Sequence, residues 1–312
     1  MIFSIRGNET TLAGVEKKSK KVPKYRCTDL SRNHRTKHPN PHTDMSEREP
    51  DVCSDSANVG AGSAREDAPA ALSSDFLEES SPSEAHLAVV VCNWSLPSLT
   101  PRVLQRASYV IAADGGANRL YDELPALFPD ASADEVRRRH APDHIAGDLD
   151  SIRDDVRSFY SNIGVPVTDL SHDQDSTDLM KCLEVVNVRT PAFSHIVALG
   201  TQGGRLDHIL GNLSILHMYR RLPLLLMGEG NLTRLVPRGK SVIHTSRFEG
   251  PKCGLIPLSG GAVASSRGLR WNLDNTPMAM GGLISSCNEL VDREIFVETD
   301  VDLIWTTELT EH

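Results

Sequence analysis

The sequence has little apolar material for its length and contains no long apolar run. Hydrophobic residues make up 39% of the 312 residues, and this low share predicts that part of the chain is disordered. No apolar stretch approaches the roughly 20 residues that a membrane-spanning helix needs, so we expect no membrane partner. Residues 1–6 lack the apolar core of a secretory signal. A mitochondrial presequence stays open because the N-terminus is basic, although Glu9 and Glu16 interrupt it.

Clustered cysteines and a positive net charge are also lacking. The six cysteines are scattered, with neither the Cys-x-x-Cys spacing of metal sites nor the density of disulfide-rich proteins. That usage indicates a reducing compartment, and we expect a cytoplasmic protein. The formal net charge is −9, so no basic surface dominates and nucleic acid is not expected as a partner.

Composition and periodicity divide the chain into three predicted parts. Residues 1–84 have a basic half followed by an acidic half rich in Ser, Ala and Pro. This composition predicts a disordered extension, either a regulatory or targeting arm or an extension without a selected role. Residues 85–225 alternate short apolar strands with helical patterns, which predicts an α/β fold with a parallel sheet. Residues 226–312 form short strands between turns, which predicts a small all-β sandwich or barrel.

Carboxylates follow three of the predicted strands at the points where the strands end. Asp114 follows the first, Asp148 and Asp150 the second, and Asp178 lies in an acidic loop after the third. The carboxyl ends of parallel strands share one edge, where open α/β sheets bind ligands. Carboxylates gathered there repel one another unless a cation lies between them, and Mg²⁺ is a cation that prefers such oxygen ligands. The alternative for these loops is helix capping, with Ser151 as one cap.

Glycine-rich loops accompany these acids. Gly115 and Gly116 follow Asp114, and a longer loop runs from Gly200 to His208. Such loops hold phosphate with backbone amides and a helix N-terminus, while Arg205 can contact phosphate in a bidentate manner. Asp207 either caps the next helix or orients Arg205. The longer loop lacks the Lys-Ser/Thr of a Walker sequence.

A histidine and the tryptophans of the sequence each allow more than one interpretation. His208 either contacts phosphate or faces solvent as a helix-capping residue. Asp175 is the expected N-cap of the helix after the third strand. Trp271 can stack on a flat or cationic ring, although packing in the core is the more common role of such a tryptophan. Trp94 and Trp305 are interpreted as packing residues or left unassigned.

Five motifs occur in an order that resembles the thiamine pyrophosphokinase family. They begin at Asp114, Gly147, Asp173, Gly203 and Ser265 and read DGGAN, GDLDS, DQDSTD, GGRLDH and SSRGLRWNL. The resemblance covers about residues 86 to 309. It implies a Rossmann-like catalytic domain at 85–225, a β-sandwich thiamine-binding domain at 226–312, and a homodimer with active sites at the subunit interface.

The reaction that the resemblance implies is transfer of pyrophosphate from ATP to the hydroxyl of thiamine, giving thiamine diphosphate and AMP. The residues implied for catalysis and Mg²⁺ are Asp148, Asp150 and Asp178. Those implied for ATP are Asp114, Gly115, Gly116, Asn118, Gly204, Arg205, Asp207 and His208. Those implied for thiamine are Gln174, Thr177, Ser266 and Trp271, the last two supplied by the partner subunit.

Two other functions stay open at this point. The same edge could serve another Mg²⁺-dependent phosphoryl or nucleotidyl transferase with a different acceptor. It could also belong to a non-catalytic regulatory protein that binds thiamine or a nucleotide. Arg267 departs from the expected thiamine motif. Because its charge would repel a thiazolium ring, we expect Arg267 to face solvent or phosphate.

Overall fold

The computed structural model describes residues 68–79 and 86–310. Most of the predicted N-terminal extension therefore lies outside the described residues. In chain order, the strands of the described part are β1 (Ala70–Ser73), β2 (Leu87–Val91), β3 (Ala107–Ala113), β4 (His144–Gly147), β5 (Val167–Asp169), β6 (His195–Leu199), β7 (Leu224–Gly228), β8 (Asn231–Val236), β9 (Gly239–His244), β10 (Glu249–Ile256), β11 (Ala262–Arg267), β12 (Thr276–Met278), β13 (Ser285–Glu289), β14 (Glu294–Thr299) and β15 (Leu303–Leu309).

The α-helices of the same part all lie between β2 and β7. They are α1 (Thr100–Arg106), α2 (Gly116–Asp122), α3 (Ala133–Arg139), α4 (Asp154–Asn162), α5 (Asp178–Asn187) and α6 (Leu206–Met218). Short 3₁₀ helices occur at Asp75–Leu77 and Leu124–Leu127. None of the helices in the described ranges is long and apolar enough to cross a membrane.

A ten-stranded sheet forms the centre of the molecule, in the order β13-β10-β15-β8-β7-β6-β2-β3-β4-β5. The six strands from β7 to β5 are parallel. The predicted α/β architecture with a parallel sheet is confirmed. The chain runs outward from β2 through β3, β4 and β5, then returns to the other side of β2 as β6 and β7. This reversal makes a topological switch point, where loops after β2, β3 and β6 diverge and leave a crevice.

Strand β2 shows why this sheet is buried on both faces. Leu87, Val89 and Val91 pack into a core shared with helices α1 to α4. Ala88 and Val90 point the other way, into a core shared with α5 and α6. Because side chains alternate along a strand, both faces of β2 need apolar residues. The continuous apolar run in the sequence follows from that requirement.

The C-terminal part is rich in β-structure, as predicted. Strands β8, β15, β10 and β13 extend the large sheet in antiparallel fashion. A second sheet, in the order β1-β9-β14-β11-β12, supplies the opposite layer of a sandwich. The core between the layers includes Leu255 and Trp305 from the first sheet and Ile295 and Val297 from the second. The predicted boundary at 225/226 falls inside β7, so the sheet continues across it and the domain limits stay a prediction.

Residues 68–79 correct the prediction of disorder for this stretch. Strand β1 pairs in parallel with β9, and the 3₁₀ helix after it places Phe76 and Leu77 fully inside the protein. The Arg234 guanidinium donates to the Ser73 carbonyl at 2.9 Å. The prediction was wrong here because average composition hides two apolar side chains, and their burial offsets the entropy of ordering the segment.

Two predicted helix caps were also wrong. Thr177, not Asp175, caps α5, since its Oγ1 accepts a hydrogen bond from the Met180 amide at 3.3 Å. Ser151 does not cap α4, which begins at Asp154. The Ser151 amide donates to the Asp114 carboxylate instead, and this bond keeps Ser151 in the loop before the helix.

Candidate active site

Asp114 is the buried organiser of the acidic edge. It follows directly after β3 and has a positive φ of 44°, a conformation that costs energy for a residue other than glycine. Its carboxylate accepts from the Ser151 amide at 2.9 Å and the Ile152 amide at 3.1 Å. Asp114 therefore fixes the path of the loop that follows β4.

That loop brings Asp148 and Asp150 to one side. Leu149 between them has a positive φ of 62°, which turns the backbone sharply. Carboxylate oxygens of Asp114, Asp148 and Asp150 all lie within 4.8 Å of one another. Asp114 is buried, Asp148 is half-buried and Asp150 is exposed. The solvent exposure of the acids therefore increases from the sheet edge outward. The Ser151 hydroxyl donates to Asp150 at 2.8 Å.

Asp178 joins this cluster from the first turn of α5. Its Oδ1 accepts from the Asp148 amide at 3.2 Å. Lys181, one turn later, has a nearly fully buried side chain, and its Nζ lies 3.4 Å from Asp178 and 3.6 Å from Asp148. A fixed cation thus partly balances two of the carboxylates before any metal binds.

Burial and mutual repulsion perturb these acids. Burial raises the pKa of the Asp178 carboxyl, and the nearby Asp148 charge raises it further, against the lowering effect of Lys181. Burial also raises the pKa of Asp114, although hydrogen bonds from Ser151 and Ile152 oppose the increase. Raised carboxyl pKa values in a cleft are a physical mark of a functional site.

The carboxylate of Asp173 holds the loop before α5 in place through hydrogen bonds within that loop. Asp173 Oδ1 accepts from the amides of Asp175 and Ser176 at 3.1 and 3.2 Å, and the Ser176 hydroxyl bonds to its other oxygen. Gln174 is exposed and donates to the Ser171 carbonyl at 2.7 Å. Asp173 thereby shapes the loop that carries Gln174 and Thr177.

The glycine-rich loop after β6, residues 200–205, lies beside these acids. Gly200, Gly203 and Gly204 all have positive φ angles, of 68°, 105° and 69°, which L side chains adopt with strain. Arg205 is mostly exposed and pairs with Asp207 in the first turn of α6. The pairing supports the interpretation that Asp207 orients Arg205, because Asp207 caps no helix here.

A cavity of about 480 Å³ connects the acids with the glycine-rich loop. Its walls come from residues 92–212, at the carboxyl ends of β2, β3, β4 and β6. The predicted site residues among its lining are Asp148, Thr177, Asp178, Arg205, Asp207 and His208. The site thus lies at the topological switch point, where doubly wound sheets bind ligands.

Gly115, Gly116 and Asn118 have structural roles next to this cavity. A Cβ on Gly116 would collide with the Val91 carbonyl, and one on Gly115 would collide with Asn93. Asn118 donates to the Ser151 carbonyl at 2.9 Å and accepts from the Arg153 amide at 3.1 Å. These contacts explain the residue types without a ligand, and they place α2 tightly behind the acidic loop.

Ser266 and Trp271 belong to a different part of the molecule. Ser266 is buried in β11, and its Oγ accepts from the Leu273 amide at 2.9 Å. It lines a second cavity of about 490 Å³ together with the exposed Arg267. Trp271 is 38% exposed and lies under the Arg270 guanidinium, 4.9 Å from ring centroid to Cζ. This exposure excludes the core-packing interpretation of Trp271, which applies instead to the fully buried Trp305.

The residues present fit a magnesium ion. The cluster offers oxygen ligands alone, from the loops after β3 and β4 and from the first turn of α5, and hydrogen bonds hold these segments in place. Mg²⁺ favours such carboxylates together with water and substrate phosphates. Asp114, which was expected at the ATP site and not among the metal ligands, also lies in this cluster. Both of its carboxylate oxygens already accept hydrogen bonds from backbone amides.

Sequence reasoning missed two residues of this centre. One is Lys181, whose burial was not visible in the sequence. The other is Gly147, where a Cβ would approach the Asp114 Cβ to 2.7 Å and Asp178 Oδ1 to 2.9 Å. Its place beside Asp148 in a strand-ending motif was the available signal, because glycine often marks close approach of the backbone to another group.

Comparison with known proteins adds an independent observation. The family described as thiamin pyrophosphokinase, catalytic domain, matches residues 100–226. The family described as thiamin pyrophosphokinase, vitamin B1 binding domain, matches residues 240–304. A rice protein named thiamine pyrophosphokinase 3 is 46% identical over 237 residues, covering 73% of this chain and 89% of that protein.

The chain belongs to the thiamin pyrophosphokinase family. The resemblance carried by the five sequence motifs is thereby confirmed. An Arabidopsis thaliana relative named thiamine pyrophosphokinase 1 is 47% identical over 227 residues, covering 70% of this chain and 85% of the relative.

The crystal structure of yeast thiamin pyrophosphokinase superimposes with a TM-score of 0.68, covering 80% of this chain and 93% of that one. Its sequence is 23% identical to this chain, so the likeness establishes the shared fold. The α/β region followed by a β-rich region is therefore the architecture of a thiamin pyrophosphokinase.

Proposed function

We propose that this enzyme is a thiamine diphosphokinase, which transfers pyrophosphate from ATP to the hydroxyl of thiamine and releases AMP. The observation that carries the proposal is one cavity that joins a carboxylate cluster to a glycine-rich loop, in a chain of this family. The chain also spans 89% of the rice relative of that name.

Mg²⁺ is proposed as the metal of this site. Asp148 and Asp150 would hold it, with Asp178 and Asp114 beside them. When bound, the ion neutralises phosphate charge and stabilises the charge that develops during phosphoryl transfer. Lys181 keeps Asp148 and Asp178 in place near the ion.

The chain's own groups supply positioning and proton transfer. The glycine-rich loop and the N-terminus of α6 present backbone amides to phosphate oxygens, and Arg205 adds a fixed positive charge. Because the transition state of phosphoryl transfer is loose, such positioning supplies much of the rate enhancement. The carboxylate of Asp178 or Asp148 would accept the proton of the thiamine hydroxyl, since both lie at the acidic edge of the cavity.

Thiamine is proposed to bind between two copies of the chain. Gln174 and Thr177 would contact it from the acidic edge, and Ser266 and Trp271 from the β-rich part of a second copy. The cavity at the acidic edge takes its lining from residues 92–212, whereas Ser266 lines a separate cavity. Helix α6, which borders the first cavity, exposes Leu206 and Leu210, and a second copy would cover them.

We further propose a cytoplasmic enzyme with a catalytic domain at 85–225 and a thiamine-binding domain at 226–312. The described cysteines are free thiols, which suits a reducing compartment. The net charge of −9 gives no support to nucleic acid binding.

The test is an assay of the purified chain with ATP and Mg²⁺, with and without thiamine. The proposal expects AMP only when thiamine is present. AMP formation independent of thiamine would indicate another acceptor, and binding of both ligands without turnover would indicate a regulatory protein. Either result would overturn the proposed function.

A further inference from the structure

Trp94 lies between the loop after β2 and the glycine-rich loop. Its amide donates to the Cys92 carbonyl at 2.9 Å, which turns the chain at the end of β2. Its side chain is half-buried and lines the same cavity as Asp148, Asp178 and Arg205. Trp94 therefore belongs to the wall of the site, where the sequence alone left it unassigned.

The indole packs directly against the glycine-rich loop. A Cβ at Gly204 would lie 2.5 to 2.8 Å from three carbons of the six-membered ring, and a Cβ at Gly203 would collide with Trp94 Nε1. A Cβ at Gly200 would lie 2.9 Å from the Trp94 carbonyl oxygen. Gly200, Gly203 and Gly204 thus serve two purposes, since each has a positive φ and each leaves space for Trp94.

Glu229 fixes the orientation of this ring. It lies in the turn between β7 and β8, and its Oε1 accepts a hydrogen bond from Trp94 Nε1 at 2.8 Å. A Cβ at Gly203 would also collide with the Glu229 carboxylate. The loop is consequently held between two side chains from two other strand ends. A hydrogen bond to a charged acceptor is stronger than a neutral one.

We propose that Trp94 is a positioning residue for the nucleotide, acting with Glu229 to hold the glycine-rich loop in its phosphate-binding conformation. This inference rests on the proposed use of ATP at the site. The loop carries Arg205 and leads into α6, so its path decides where the guanidinium and the helix amides point. A displacement of about 1 Å in such groups can cost about a hundredfold in rate.

The test is a direct binding measurement with α,β-methylene ATP and Mg²⁺, by calorimetry, on the full chain and four variants. The variants are Trp94→Ala, Trp94→Phe, Glu229→Gln and the Trp94→Phe/Glu229→Gln double variant. Thiamine binding and the melting temperature are measured on the same samples. Trp94→Phe keeps an aromatic ring without the N–H donor, so it separates loss of the hydrogen bond from loss of packing.

We expect Trp94→Ala to weaken nucleotide binding about tenfold, with thiamine affinity changed less than about twofold. The double variant should bind the nucleotide about as well as whichever single variant binds it more weakly, because both substitutions act on one hydrogen bond. Trp94→Phe removes its donor, and Glu229→Gln removes the charge of its acceptor. Unchanged nucleotide affinity in Trp94→Ala, or equal weakening of both ligands, would contradict the proposal. If Trp94→Ala does not fold, Trp94→Phe and Glu229→Gln decide by the same criteria.

The outcome is separable from that of the proposed function. A chain that binds the nucleotide through Trp94 but makes no thiamine-dependent AMP would retain this inference and refute the activity. A chain that makes AMP and thiamine diphosphate with unaltered nucleotide binding in all four variants would retain the activity and refute the role of Trp94.

Discussion

Asp148 is the carboxylate that links the parts of the site, because it neighbours Asp150, Asp178 and Lys181. We predict that Asp148→Asn lowers kcat at least about a hundredfold, since a metal ligand supports several kcal/mol of transition-state stabilisation. Steady-state kinetics with Mg²⁺ and ATP measure this loss. The melting temperature should change little, because Asp148 is only half-buried.

The matched control is Asp134→Asn. Asp134 is an exposed aspartate in the first turn of α3 and pairs with Arg138. The same chemical change there should leave kcat within about twofold, because surface ion pairs contribute little. Near-normal activity of Asp148→Asn, or equal losses in both variants, would contradict the metal assignment.

Lys181 gives a second prediction at the residue scale. Its buried ammonium faces two carboxylates, so Lys181→Met should leave their repulsion uncompensated. We expect a loss of about 2 kcal/mol in unfolding free energy without metal, below the usual cost of breaking a fully buried pair because both acids are partly exposed. Urea unfolding of the metal-free protein measures it.

Added Mg²⁺ should recover part of that loss, because the ion replaces the missing positive charge between the acids. The matched variant is Lys252→Met, which removes an exposed lysine paired with Glu289 and should lose less than about 1 kcal/mol. An equal response of both variants to Mg²⁺ would show that Lys181 has no special relation to the site.

Individual residues also show what the sequence could predict at this scale. Asp148, Asp150 and Asp178 were predicted from their places after strands, because parallel strands bring their ends together. Lys181 was not predicted, because a lysine in the first turns of a helix is usually solvated. Its burial follows from how α5 packs against β3 and β4, which depends on contacts distant in sequence.

Among the structural elements, the parallel strands could be predicted from their apolar runs, whereas β1 could not. Strand β1 has only four residues, with a burial pattern that is mostly partial. The apolar pair Phe76 and Leu77 after it lies in a segment rich in Ser and Glu. Local pattern therefore predicted disorder, whereas pairing with β9, contact with Arg234 and burial of the apolar pair stabilise the segment.

This segment gives a prediction at the scale of elements. Ser74 bonds to both Arg234 and Glu249, two charged residues that are almost fully buried. A chain that begins at residue 80 loses these bonds and the burial of Phe76. We expect it to be destabilised by about 3–5 kcal/mol, the usual cost of removing a buried aromatic side chain, and to lose soluble expression or melt much earlier.

A chain that begins at residue 68 is the matched comparison. It keeps β1 and Phe76, and its melting temperature should stay within a few degrees of that of the full chain. Thermal unfolding followed by circular dichroism compares the three chains. Equal stability of the chains starting at 68 and 80 would show that the segment contributes nothing to the fold.

The whole molecule is organised around one sheet that passes from the parallel region into the sandwich through β7 and β8. Sequence periodicity showed the change of pattern near residue 225, but not that the sheet continues across it, because hydrogen bonding between strands leaves no mark in composition. That two copies of the chain form a dimer with shared active sites is a proposal.

Leu210→Glu tests that proposal. Leu210 is an exposed apolar residue on α6, near the cavity. A charge at this position should weaken the dimer at least about tenfold, because an unpaired charge in an interface is costly. Sedimentation equilibrium measures the association, and Leu210→Met, which keeps an apolar side chain, should remain dimeric. A monomeric wild-type chain with full activity would contradict the shared site.

Pyrophosphoryl transfer at the acidic edge is the central claim for the molecule as a whole. The most direct measurement follows the fate of each phosphorus in one reaction with thiamine and Mg²⁺, using ATP labelled in turn at the α and γ positions. The account predicts γ label in thiamine diphosphate and α label in AMP, in equal amounts. Label from the α position in the thiamine product, or ADP in place of AMP, would contradict it.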